Sequence, residues 1–207
     1  MPGDIVHFGF VIEGQGEVEA IPLLIRRICN ELFGMYALKT TQAVRIPRSK
    51  LVRERELERA IRLAQINNGA QGPVLVVLDA DDDCPVILGA QLKARALGIA
   101  QPRSVSIVIP KYEFETWFLA AAHSLRGKRG LREDLLAPSD PEAIRGAKEW
   151  LSRNMVPGRT YSPSVDQAAL VAGMDLTEAR SCKSFDRLCR EIERLVVLPS
   201  RTEPHKD

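Results

Sequence analysis

Carboxylates stand where apolar runs end in this chain. Residues 74–83 read VLVVLDADDD, an apolar run that passes straight into Asp79, Asp81, Asp82 and Asp83. Glu13 ends an earlier apolar run in FVIEGQGE, with Glu17 one helical turn later. Glu113 and Glu115 follow a third run, in PKYEFETWF. Two carboxylates about 4 Å apart repel by roughly 4 kcal/mol at an effective dielectric near 20. Several of them gathered at one place must splay into water, share protons or be held by a cation. An all-oxygen set without His or Cys beside it suits a hard cation, Mg²⁺ first and Mn²⁺ second. A carboxylate-held Mg²⁺ in turn suits phosphate chemistry.

Other uses of the same residues fit less well. A calcium loop of the EF-hand type fails, because Cys84 stands where the turn glycine belongs and Ala90 where the bidentate glutamate belongs. No G-x-x-x-x-G-K-[ST] precedes the aspartates, so they are not the acidic strand of a P-loop NTPase. A sugar-nucleotide transferase could hold Mn²⁺ and a diphosphate on D-A-D, but that leaves Glu13 and Glu17 without a task. Gly14 and Gly16 allow a tight turn, and the amides at the start of the helix that follows could receive a phosphate. Against that, Glu17 and Glu19 have a plain reading as first-turn acids that complement the helix dipole. Trp117 and Phe118 read as core anchors, and His7 and His123 have no ligand partner. The basic RGKRG run at 126–130 reads first as a solvated loop and second as a phosphate-backbone contact.

The elements that must position these groups follow from periodicity. Strands are expected at Ile5–Ile12, Ala37–Ile46, Val74–Asp79 and Ser104–Ile109. Helices are expected at Val18–Phe33, with Pro22 in its first turns, Leu51–Ile66, Val86–Leu97 and Phe114–Ala122. The unbroken apolar character of VLVVL means burial on both faces, as in a parallel sheet. Alternation of strand and helix from residue 5 to 123 specifies an α/β fold, a Rossmann-like, mostly parallel sheet flanked by helices. In such sheets ligands bind at the carboxyl ends of the strands, which is where the acids lie. The core domain is placed at 4–125. A loop-rich helical C-terminal extension at 126–198, with short helices at 141–152, 164–172 and 183–197, packs on it, and 199–207 is expected to be disordered.

Composition removes several classes. The chain has 207 residues, enough for one α/β domain with appendages. Its net charge of +2 creates no global field for nucleic acid, so any basic surface is local, in the stretches 45–62 and 126–132. Four cysteines without a C-x-x-C pair argue against a zinc site or a disulfide scaffold and suit a reducing, cytoplasmic setting. Neither a signal peptide nor a membrane span is legible.

The residues IEGQGE and LDADDD resemble the signature of the Toprim (topoisomerase–primase) superfamily, a glutamate at the first strand's end and a D-x-D on a later one. PKYEFETWFLA and the late CKSFDRL narrow the likeness to small standalone Toprim-like bacterial proteins of unknown function. These are similar to the nuclease domain of overcoming-lysogenisation-defect proteins. The resemblance implies a Toprim-like core and Mg²⁺- or Mn²⁺-dependent phosphodiester hydrolysis, most simply a DNA endonuclease, with a separate ATPase as partner in phage or plasmid defence. Carried over residue by residue, it makes Glu13 a metal ligand or acid–base group, Asp79 and Asp81 the D-x-D ligands and Glu17 a ligand to another metal. Asp83 extends the set, Glu113 or Glu115 adds or orients a ligand, and Lys183 neutralises phosphate charge. The chain lacks a topoisomerase-like tyrosine context, a primase zinc module and a fused ATPase. The competing expectations are a non-catalytic binding or regulatory module that partners an ATPase, and a metal-dependent nucleotidyl- or glycosyl-transferase.

Overall fold

The structure is a computed structural model and describes residues 5–70, 72–99 and 104–197. Its centre is β1 (Val6–Ile12), whose residues alternate between two cores. Phe8, Phe10 and Ile12 enter one core and Val11 the other. β4 (Val74–Val77) behaves in the same way, with Leu75 and Val77 on the first side and Val74 and Val76 on the second. This is the two-residue period of a strand covered on both faces. β2 (Leu38–Thr40) and β3 (Val44–Arg45) run along one side of β1, and β4 along the other. β5 (Val105–Val108) forms the far edge, and all pairings are parallel.

Register places the chemistry. Val11 lies opposite Val76, and Val77 opposite Val108. Glu13 and Asp79 therefore leave the sheet at the same end, beside the turn after β5. Because all pairings are parallel, that rim is the carboxyl end of the strands, from which the crossovers depart, and the expected α/β architecture is present.

One face carries α1 (Glu17–Arg27), α5 (Thr116–Ala120), α6 (Ala147–Arg153), α7 (Pro163–Gly173), α8 (Leu176–Ala179) and α9 (Lys183–Ile192). The opposite face carries α2 (Arg48–Leu51), α3 (Glu56–Asn67) and α4 (Pro85–Leu97). Residues from the C-terminal half, among them Leu151, Leu170, Phe185 and Leu188, share one apolar cluster with Phe8, Phe10 and Trp117. The extension is thus continuous with the core and closes the α1 side of the sheet. Trp117 packs tilted against Phe114 and edge-on against Phe185 and donates Nε1–H to Ser184 Oγ at 3.0 Å, an anchor rather than an exposed platform.

Several elements differ from the sequence expectation for identifiable reasons. The second strand is broken, because the amide and hydroxyl of Thr41 both donate to Phe8 O and turn the chain between β2 and β3. The helix expected over Leu51–Ile66 is two helices. Arg55 takes φ +69°, and the Arg95 guanidinium bonds the carbonyls of Val52 and Arg53 in the gap while pairing with Glu58. α1 begins at Glu17 and ends in a π-helical turn, Ile28–Leu32, and α9 passes into another over Glu193–Val197. The stretch 141–152 holds a 3₁₀ turn and then α6, separated by Gly146 at φ +72°. α8 was not anticipated; Asp175 starts it by accepting from the amides of Thr177 and Glu178. Among the described residues no helix is long and apolar enough to cross a membrane, and all four cysteines are free. The expected disordered tail at 199–207 lies outside the described residues.

Candidate active site

Glu13, Glu17, Asp79 and Glu115 line one cleft of about 380 Å³ with Gly14, Gly16, Lys148 and Gln167. Four of the acids singled out in sequence therefore meet at the carboxyl end of the sheet. Glu13 follows β1, Asp79 lies two residues beyond β4, and Glu115 stands immediately before α5. Glu17 opens α1 and folds back, its Oε2 accepting the amides of Glu13 and Gly14 at 3.2 Å each.

This folding-back changes the reading of the glycine turn. The Gly14 amide faces a glutamate carboxylate where a phosphate was expected. Gly16 is required by packing: a Cβ there would sit 2.4 Å from Pro163 O and 2.3 Å from Gln167 Oε1, so α7 can approach α1 only over a glycine. The close approach deduced for this turn exists, and its partner is the protein's own helix.

The other acids are held firmly. Asp79 Oδ1 accepts the Phe114 amide at 2.8 Å. Glu115 Oε1 accepts from Tyr161 Oη at 2.9 Å and Gln167 Nε2 at 3.2 Å. Its Oε2 lies 3.1 Å from Lys148 Nζ, an ion pair out of line for a hydrogen bond. Lys148 also pairs with Glu113 Oε1 at 2.9 Å and donates its backbone amide to Glu113 Oε2. Glu13 Oε2 is buried without a hydrogen bond.

The electrostatics follow from burial and crowding. Burial first, then the carboxylates of Glu17 and Glu115, push Asp79 well above the usual aspartate range. Burial, followed by Glu115 and Glu13, raises Glu17 to about 7, although the Gly14 and Glu13 amides oppose the rise. Glu13 is raised by burial and by Asp81, with the backbone amide of Arg48 acting against them. Glu115 is raised by burial against the pull of Lys148 and Tyr161. Burial alone would depress Lys148, but Glu115, Glu113 and Asp79 outweigh it and hold its ammonium above its ordinary value.

The outer aspartates belong to another setting. The side chains of Asp81, Asp82 and Asp83 are 59%, 78% and 61% exposed, against 5% and 1% for residues Glu17 and Glu115. Arg48 pairs with Asp81 at 3.3 Å, bonds Asp83 and reaches the Asp79 carbonyl. Arg145 pairs with Asp82 at 2.5 Å. Asp81 takes φ +48° and Tyr112 φ +64°, joined by a bond from Asp81 N to Tyr112 O, so non-glycine strain gathers at this rim. Asp81 and Asp83, expected as ligands beside Asp79, are thus ion-paired to an arginine. Lys183 lines a separate groove with Lys111, Arg187 and Arg190, and does not line the acidic cleft. The cation in the cleft is Lys148, which no sequence signal marked. Nor did any mark Tyr161 or Gln167, and Arg48 was marked only as part of the basic stretch 45–62, not as the partner of the aspartates.

The RGKRG run is likewise tied inward. Lys128 bonds Gly173 O, Arg129 approaches Asp166 and Arg126 bonds Leu135 O. Asp166 is buried and also takes Arg159 at 2.8 Å, which fixes the start of α7 beside the cleft.

A model of the family described as "Domain of unknown function (DUF4276)" matches residues 12–193, most of the chain. The chain belongs to the DUF4276 family. No curated protein and no solved structure matches it. The DUF4276 match begins at the last residue of β1 and ends just after α9, so it spans every acid of the cleft and Lys148 together with the extension that closes it.

Whether the cleft suits a divalent ion is a question of its donors. They are oxygens throughout, one of them, Glu13 Oε2, is buried without a hydrogen bond, and like charges crowd the space. That donor chemistry fits Mg²⁺ or Mn²⁺. As the side chains stand, no three His, Cys, Asp or Glu residues among those described are grouped to hold a metal ion.

Proposed function

We propose that this cleft serves Mg²⁺- or Mn²⁺-dependent phosphodiester hydrolysis, as a Toprim-type nuclease acting on DNA. The observation that carries the reading is the meeting of Glu13, Glu17, Asp79 and Glu115 in one cleft that contains, among the described residues, a single ammonium, Lys148. Glu13 and Asp79 would hold the ion, with Glu17 and Glu115 beside them. When bound, the ion supplies positive charge to the phosphate and activates water. The chain itself fixes the acids: Phe114 N–H orients Asp79, while Tyr161, Gln167 and Lys148 orient Glu115. α7, seated on Gly16, walls one side of the cleft. The DNA substrate and a separate ATPase partner are carried by the Toprim resemblance of IEGQGE and LDADDD, and the cytoplasmic setting by the four cysteines without a C-x-x-C pair.

The test is cleavage of supercoiled plasmid by the purified protein in Mg²⁺ and in Mn²⁺, beside Glu13→Gln and Asp79→Asn. The reading expects loss of cleavage in both variants; wild-type rates in either would overturn it. The absence of a ready three-acid group favours one second reading, a non-catalytic module that works through an ATPase. That reading expects no cleavage and no rise of the melting midpoint with millimolar metal.

A further inference from the structure

A second concave surface lies beyond the cleft, beside the edge strand β5. It is a groove of about 380 Å³ between α4 and α9, floored by Val86, Gly89, Ile107 and Ile109. Lys111, Lys183, Arg187 and Arg190 rim it, against one carboxylate, Glu142. That carboxylate is engaged: Glu142 Oε1 accepts the Ser184 amide at 2.9 Å and the Cys182 thiol at 3.2 Å, closing the start of α9. Residues 183, 187 and 190 are spaced by four and three, so α9 turns them to one face. Arg190 pairs with Asp186. Lys183 and Arg187 are exposed and make no ion pair among the described residues. Lys111 sits over the Tyr112 ring at 5.4 Å, and Arg145 at 5.2 Å. The groove thus begins at the turn whose next residue, Glu113, reaches Lys148 of the cleft.

We propose that this groove binds the sugar–phosphate backbone of a nucleic-acid strand. The cations hold successive phosphates, and the apolar floor takes the sugar and base faces. Lys183 and Arg187, without an ion pair among the described residues, stand beside Lys111 and Arg190 on a chain whose net charge is only +2, which makes a local polyanion site rather than a general field. Only the identity of the strand as substrate rests on the phosphodiesterase reading of the cleft; binding at the groove does not require it.

The experiment is fluorescence anisotropy of labelled single-stranded and duplex DNA in EDTA across a salt series, with the full chain. Lys183→Glu/Arg187→Glu should bind roughly tenfold or more weakly at low salt. The milder Lys183→Gln/Arg187→Gln should make the slope of log affinity against log salt shallower. Two lost phosphate contacts change it by about 1.4 for a single strand and about 1.8 for a duplex. These side chains are exposed, and an unchanged melting midpoint verifies the fold. Wild-type affinity and slope in both variants would overturn the proposal. So would a polyglutamate peptide that binds the wild type as well as DNA does and is lost with the same variants. Glu13→Gln separates the two readings, since it should bind DNA like the wild type. If its cleavage is unimpaired, the cleft reading falls while the groove stands. If the groove variants bind normally while Glu13→Gln stops cleavage, the reverse holds.

Discussion

Two groups of acids meet in the stretch Asp79–Asp83, one containing Asp79 and the other the three aspartates after it, and they differ in what neutralises them. Asp81, Asp82 and Asp83 are exposed and are met by Arg48 and Arg145. Glu17 and Glu115 are buried and Glu13 and Asp79 half-buried, in a cleft whose ammonium, Lys148, pairs with Glu115 and with Glu113. Charge at the rim is balanced by the chain. Charge in the cleft exceeds what the chain supplies, and burial first, with neighbouring carboxylates adding to it for Glu13, Glu17 and Asp79, raises the pKa values there. The aspartate run that looks like one motif in sequence is therefore two: Asp79 points to chemistry, and the residues after it to the ordering of a loop.

Removing the one cation of the cleft should have the largest effect. Lys148→Met leaves Glu115 and Glu113 without their ammonium, and breaking a buried pair from one side costs about 3–5 kcal/mol, with the lower end expected here because the Lys148 side chain is 36% exposed. Chemical denaturation at pH 8 should show a loss of that order. It should shrink toward pH 5, because burial raises the Glu115 carboxyl and lets it take a proton. A loss below about 1 kcal/mol at pH 8 would mean that the cleft is wetter than described. Next comes Asp79→Asn against Asp83→Asn in the plasmid assay. Their side chains start four residues apart, yet the first should slow cleavage by about 100-fold or more and the second by less than twofold. Equal losses would merge the two acid groups into one site.

Metal and pH sharpen the same contrast more gently. Ion that binds only the native cleft, at tenfold its Kd, should stabilise the chain by about 1.4 kcal/mol. Without metal, Glu17 gives the pH dependence its sign. Its carboxyl is raised from 4.5 to about 7 on folding, so the native chain holds more protons than the unfolded chain between those values. Stability from this group is complete below about pH 4.5, falls as pH rises to about 7, and is level above. Glu17→Gln should flatten that part of a melting-midpoint curve, and saturating Mg²⁺ should flatten it in the wild type. A curve that falls from pH 4.5 to 7 and keeps the whole of that fall in Glu17→Gln would remove Glu17 as its source.

Much of this was legible before the structure. The unbroken VLVV run specified a doubly covered central strand, and the position of Glu13 and Asp79 after apolar runs put them at one rim. What sequence withheld was pairing at long range. Lys148 sits in an ordinary amphipathic stretch, GAKEW, and becomes the counter-charge only because α6 folds against the turn after β5. Arg48 likewise meets Asp81 and Asp83 only through the break between α2 and α3, and that break depends on Arg95, more than forty residues downstream. Periodicity reports which face of an element is apolar. It does not report which distant side chain arrives at its end. Lys183 shows the converse: chemically apt in isolation, it is carried by α9 to a different groove.

The smallest expected effect is at the outermost pair. Asp82 and Arg145 are 78% and 66% exposed, and an ion pair in such surroundings is screened by water and salt and contributes at most about 1 kcal/mol. Asp82→Asn should therefore lower stability by no more than that. Its loss should fade in high salt, and the double variant with Arg145→Ala should show little coupling. It should also leave the metal-induced rise of the melting midpoint intact, because Asp82 has its own cation and the cleft does not draw on it. If Asp82→Asn abolishes that rise, the rim supplies ion ligands after all, and its arginines would then be stand-ins for the ion rather than permanent partners.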